Sequence, residues 1–176
     1  MLCKVVLSIV SDVDLKFAGI SPLSNVQVTV PTVHQASSPL TVNCQYSVDA
    51  DEADQVVLTS YFNESPIPIY QWVPEQEMGP QVIHNLFKDN LDLQYEGDGD
   101  KMKKHAALHI TNPDQRFSGI YKGRVSTFTE EFSAEENVSI YVPPAEVSIS
   151  SKTDDFSCFV KGVYPPPLVI LSWTTM

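Results

Sequence analysis

Ser118-Gly119-Ile120-Tyr121-Lys122-Gly123 decides how this chain is read. It closes a corner over residues 112–119 and opens an apolar-rich run over 120–127, the order of a turn feeding a strand. Upstream, Leu40-Thr41-Val42-Asn43-Cys44-Gln45-Tyr46 puts Leu40, Val42, Cys44 and Tyr46 on one face and polar residues on the other. That period of two is a half-buried strand. Outward from these two, residues 26–30, 56–62, 69–73, 91–95, 106–110 and 137–142 read as further strands. Turn signals such as Ser65-Pro66-Ile67-Pro68 and Gly97-Asp98-Gly99-Asp100 separate them. No segment sustains a 3.6-residue apolar period, so the expected class is all-β, an antiparallel sandwich of two sheets.

Pro143-Pro144-Ala145 is a stiff junction, and beyond it the pattern restarts. Residues 147–150 and 156–161 alternate, Gly162-Val163-Tyr164-Pro165-Pro166-Pro167 turns the chain, and 168–173 run apolar to Trp173. Three or more paired strands with a buried face are needed for independent stability, so this remainder is expected to lack its second sheet.

The S-G-x-Y string with a cysteine on an earlier strand resembles the immunoglobulin superfamily. A V-type domain would span 25–143, and a truncated C-type domain would span 144–176. The resemblance implies that Tyr121 is the corner tyrosine whose hydroxyl bonds back across the turn. It implies that Cys44 is the first half of an inter-sheet disulfide, and that Cys158 and Trp173 open a second sandwich. More narrowly, Tyr61-Phe62-Asn63 leading to Pro68-Ile69-Tyr70-Gln71-Trp72-Val73-Pro74 is similar to invertebrate beaten-path-like recognition proteins.

Three positions depart from that pattern. Gly123, 79 positions after Cys44, stands where the second cysteine belongs; Ser60 falls at the core tryptophan; and Phe117 replaces the aspartate before the corner. No disulfide is therefore expected within the chain, and Cys44 and Cys158 are expected as unpaired thiols behaving as small hydrophobes. A native disulfide in a small secreted domain is worth roughly 2–5 kcal/mol against a total of about 5–15. Trp72, Tyr61 and Phe62 are the residues available to fill the core instead; failing that, the product is marginal and truncated.

The net charge of −11, from 22 acidic and 11 basic residues, disfavours nucleic acid and anionic membrane surfaces. Acid gathers in loop-like runs at 49–54, 96–100 and 130–136, read as solvated. Residues 1–24 resemble a weak signal segment. Their best apolar run, 5–10, holds six residues before Asp12, Asp14 and Lys16 interrupt it, short of the ~7–15 of a working signal. No later run approaches the ~20 apolar residues of a membrane span. The expected location is extracellular, secreted or membrane-associated.

Asn63-Glu64-Ser65 and Asn137-Val138-Ser139 are glycosylation acceptor patterns, the first hindered by Pro66 directly after it. His105 and His109 read as a solvent-facing pair without a third metal ligand. Asp49, Asp51 and Asp54 lack the turn glycine and closing glutamate of a calcium loop. No nucleophile elbow, phosphate loop or zinc-protease helix occurs, so neither catalysis nor a cofactor is expected. The expectation is a recognition or adhesion module whose partner is a protein, with homo- or hetero-association open. Tyr70, Trp72 and Tyr95 are its candidate contact residues, because aromatics dominate interface energetics. Tyr70 and Trp72 could equally fill the core. The alternative is a soluble, secreted humoral or immune-type factor.

Overall fold

The computed structural model describes residues 22–76, 78–152 and 155–166. Most of the expected signal segment, Cys3 and the run ending in Trp173 lie outside them. The described residues build eleven strands: β1 Leu23–Thr29, β2 Val33–Gln35, β3 Leu40–Val48, β4 Val57–Phe62, β5 Tyr70–Trp72, β6 Gln81–Val82, β7 Ala107–Ile110, β8 Gly119–Ser126, β9 Glu131–Tyr141, β10 Glu146–Lys152 and β11 Asp155–Lys161. A one-turn helix, α1 Asn85–Lys88, lies between β6 and β7.

Two layers face each other. One sheet has the order β1-β3-β7, the other β2-β9-β8-β4-β5-β6. This is the arrangement of an immunoglobulin-like sandwich of the variable type, in which extra strands extend the sheet carrying the corner strand. The all-β class is as the sequence suggested. Residues 30–32 carry the chain from one layer to the other: β1 pairs antiparallel with β3, and β2 then pairs parallel with β9. Pro31 in this crossing offers no donor to either ladder.

Alternation explains the core. Leu40, Val42, Cys44 and Tyr46 of β3 are all buried, as are Leu58, Ser60 and Phe62 of β4 and Tyr121 and Val125 of β8. The Tyr121 hydroxyl donates to the Phe117 carbonyl at 2.9 Å, closing the corner. Phe117 is fully buried, edge-on to Phe87 of α1 at 5.3 Å, and Phe87 meets Phe62 at 5.4 Å. A cluster of aromatic rings thus occupies the corner, with Phe117 inside it where the resemblance led one to expect an aspartate. Each such edge contact adds about 0.5–1.5 kcal/mol beyond its burial.

Three elements differ from expectation. Residues 91–95 alternate in sequence but form no strand; only Leu91 bridges Ile110. The reason is local: the Asp92 side chain accepts from the Gln94 N–H, turning the chain off the sheet edge. β9 begins at Glu131, six residues earlier than its apolar residues suggest, because Ser126 pairs Glu131 in a continuous hairpin with β8. β1 begins at Leu23, inside the segment expected as signal, and Leu23 is fully buried.

β10 and β11 form a separate two-stranded sheet, joined to the end of β9 by an antiparallel bridge between Val142 and Tyr164. Val147 and Ile149 are exposed on it, with Val160 and Cys158 opposite them in register.

Candidate functional site

The position of the missing staple sets the centre of the molecule. Cys44 of β3 and Gly123 of β8 face each other across the layers: a Cβ built on Gly123 would lie 2.7 Å from the Cys44 Sγ. Ser60 pairs with Gly123 in register, and a cavity of only about 10 Å³ remains between Val28, Val42, Cys44, Ser60, Leu108 and Tyr121. Burial pushes the Cys44 thiol up to about 12, so it stays protonated and offers no nucleophile at neutral pH. Cys44 and Cys158 are both free thiols.

Tyr70 and Trp72 belong to this interior. They are 3% and 4% exposed, and the Tyr70 hydroxyl donates to the His105 carbonyl at 2.8 Å. Of the two readings the sequence offered for them, filling the core fits this burial and serving as contact residues does not. β5 turns these two inward because alternate residues of a strand share a face, leaving Gln71 outward. Tyr95 is half-buried and stacks on His109 at 4.3 Å. His105 and His109 are both half-buried: His109 shares the outward face of its sheet with Thr41, opposite it in register, and His105 precedes the strand, so the two are not a pair on one strand. The His105 ring meets Trp72 edge-on and bonds the Tyr95 carbonyl at 3.0 Å, and His109 bonds the Thr41 hydroxyl at 3.0 Å.

The outer face of the six-stranded sheet is the candidate surface. Cross-strand register brings Thr59, Arg124 and Ser133 into one row, Tyr61, Lys122 and Glu135 into the next, and Ile120 and Asn137 into a third. The Arg124 guanidinium lies 4.7 Å over the Tyr61 ring and 3.6 Å from a Glu131 oxygen. A groove of about 450 Å³ runs between these side chains and the loop at 63–66. A second groove, about 300 Å³, is lined on the opposite sheet by Asn25, Gln27, Asn43 and Gln45 among others. Among the described residues, no group of three or more His, Cys, Asp or Glu side chains is arranged to hold a metal ion, and no helix is long and apolar enough to cross a membrane.

The two acceptor asparagines sit at one end of this face. Asn137 is exposed beside Ile120. Asn63 is also exposed, but its backbone N–H donates to the Ile120 carbonyl at 2.7 Å and its Oδ1 accepts from the Ile120 N–H at 3.1 Å.

At the opposite end, residues 127–130 form the tip of the β8–β9 hairpin. The Thr127 N–H donates to the Glu130 carbonyl at 2.8 Å, and the Thr129 hydroxyl donates to Glu52 Oε1 at 2.7 Å. The hydroxyls of Thr127 and Thr129 beside it hold the Glu52 carboxyl below the usual carboxylate range. The Glu130 Oε2 accepts from the Leu23 N–H at 3.0 Å. Phe128, between these anchored neighbours, is 88% exposed. Sequence reasoning passed over it, since a phenylalanine between two threonines in a turn carries no periodic signal.

No protein-family model matches the chain, and no curated protein does. Among solved structures it is similar to the human B7-H4 IgV-like domain, at 13% identity and a TM-score of 0.46, over 66% of this chain and 96% of that one.

Proposed function

We propose that this chain is an extracellular recognition module that binds another protein through the outer face of its six-stranded sheet. The observation that carries the reading is the Arg124–Tyr61 stack in an open groove on that face. Arginine and tyrosine are the side chains that concentrate binding energy when a partner seals them from water. The stack also holds the guanidinium in place before the partner arrives, which lowers the ordering cost of association. Residues 23–142 form the binding unit, and β10–β11 are the opening strands of a second sandwich, whose apolar Val147 and Ile149 await a covering layer. Asn137 is the glycosylated position, at the edge of the face rather than beneath the stack. The beaten-path-like pattern around residues 61–74 fits the same role in cell-surface or secreted recognition.

The test is a binding screen of the secreted, multimerised chain against purified ectodomains. A partner whose affinity falls at least roughly tenfold on Arg124→Ala or Tyr61→Ala supports the reading. A screen in which every binder ignores both substitutions counts against it.

A further inference from the structure

We infer that the tip of the β8–β9 hairpin is an anchor for a basic protein partner, with Phe128 entering an apolar pocket ringed by lysine or arginine. The inference rests on the protein-recognition reading above and adds the contact point and the partner's chemistry to it.

The argument begins with order. A surface phenylalanine alone is unremarkable, because single apolar residues are scattered over most proteins. Phe128 differs in that its supports are fixed. Thr127 accepts the N–H groups of Thr129 and Glu130 at 3.3 Å each, Thr129 is tied to the β3–β4 loop through Glu52, and Glu130 is tied to the start of β1. The backbone on both sides of the ring is therefore held by two neighbouring segments, while the ring itself is 88% in water. Such a side chain loses little conformational freedom on binding and gains its whole apolar area, which is what an anchor residue does.

Charge identifies the partner. The β3–β4 loop beside the tip carries Asp49, Asp51, Glu52 and Asp54, and the hairpin adds Glu130 and Glu131, the latter matched by Arg124 at 3.6 Å, with no lysine or arginine in residues 47–57 or 126–136. The nearby loop before β7, joined to the end of β3 by the Tyr46 hydroxyl bond to Met102, does hold three lysines. Each is matched by an acid: Lys101 by Glu75, Lys103 by Asp100 and Lys104 by Glu96. Among the described residues of this end, acids outnumber bases. A bilayer with anionic headgroups would be repelled, whereas a protein with a basic rim is drawn in.

The two acceptor asparagines agree with this polarity. Both sit by Ile120, and six residue steps of β8 lead from Ile120 to Ser126 at the base of the tip. At about 3.3 Å per residue that is about 20 Å, so the attachment point at Asn137 lies well away from the tip.

The experiment uses the full secreted chain, the ectodomain screen above and phosphatidylcholine vesicles with and without phosphatidylserine. Variants are Phe128→Ala, the exposed-loop pair Asp51→Lys with Asp54→Lys, and Gln115→Ala in the exposed corner turn at the far end as a control, each checked for an unchanged circular dichroism spectrum. The expected result is a protein binder whose Kd rises roughly 30-fold with Phe128→Ala and roughly tenfold with the charge reversals, weakens with added salt, and ignores Gln115→Ala. A binder that responds to Tyr61 and Arg124 but not to Phe128 refutes the tip and leaves the outer-face reading standing. Vesicle binding that disappears with Phe128→Ala overturns the inference in favour of a lipid anchor. A screen with no binder overturns both readings together.

Discussion

Replacing Gly123 with cysteine should restore the bridge that this sandwich lacks. A Cβ at 123 would lie 2.7 Å from the Cys44 Sγ, against about 3 Å for the same separation across a relaxed disulfide, so the two halves are already in reach. The bond would close a loop of about 80 residues, and the chain-entropy relation gives about 4.5 kcal/mol for that size. Against this, the new Cβ meets Val28 Cγ2 at 2.9 Å, and crowding of that kind costs about 1–3 kcal/mol. The net gain is about 2–3 kcal/mol, or roughly 5–10 °C in Tm. Reduction should reverse the sign, since Gly123→Cys without the bond keeps the crowding and loses the staple. The assay is thermal and urea unfolding with and without reductant, with peptide mapping to show that 44 is joined to 123 and not to 158. The reasoning fails if mapping finds both thiols free under oxidising conditions, or if the oxidised and reduced variants melt together.

Tyr121→Phe leaves the buried Phe117 carbonyl short of its 2.9 Å partner and should cost about 1–2 kcal/mol in urea unfolding; a neutral result would mean the corner is held by the rings alone. Trp72→Ala should cost about 3–5 kcal/mol while leaving the affinity for any partner within threefold once folding is allowed for, because the side chain is interior. Alkaline stability follows from Cys44. Burial raises its folded pKa to about 12, well above the unfolded thiol, so the folded state holds the proton longer. That stability is complete below about pH 9 and is lost as pH climbs toward 12, at about 1.4 kcal/mol per pH unit. Burial of Tyr46, Tyr70 and Tyr121 pushes their hydroxyls in the same direction and steepens the loss. A flat stability profile from pH 9 to 11 would contradict it. Glycopeptide mass spectrometry of the protein secreted from animal cells should find Asn137 occupied and Asn63 bare, because Asn63 is bonded to Ile120 through both its backbone and its side chain.

The sandwich was legible wherever one face of a strand is buried and the other wet, as in β3, where Leu40 to Tyr46 spell out their burial by residue type. It was also legible at the corner, where Tyr121 does what its neighbours imply. It was not legible in short segments. β2 and β6 hold three and two residues, too few to show a period, and β2 exists only through a partner far away in sequence, β9. The false strand at 91–95 had the right alternation but carried Asp92, whose side chain competes with the sheet for a backbone N–H. The candidate surface was harder still. Trp72 and Tyr70 looked like contact residues because residue type gives chemistry but not direction, and direction depended on the register of β5 against β4. Arg124 and Tyr61 lie on different strands, so nothing local links them before the sheet forms.

The crossing at residues 30–32 bears on how the two layers come apart. One unbroken peptide is laced into both sheets, first along β3 and then along β9. Under tension applied to this end of the sandwich, β1 and β2 must be stripped from their ladders in turn before the layers can slide. The main chain itself therefore acts as a hasp across the seam, and resistance to pulling need not have vanished with the sulfur.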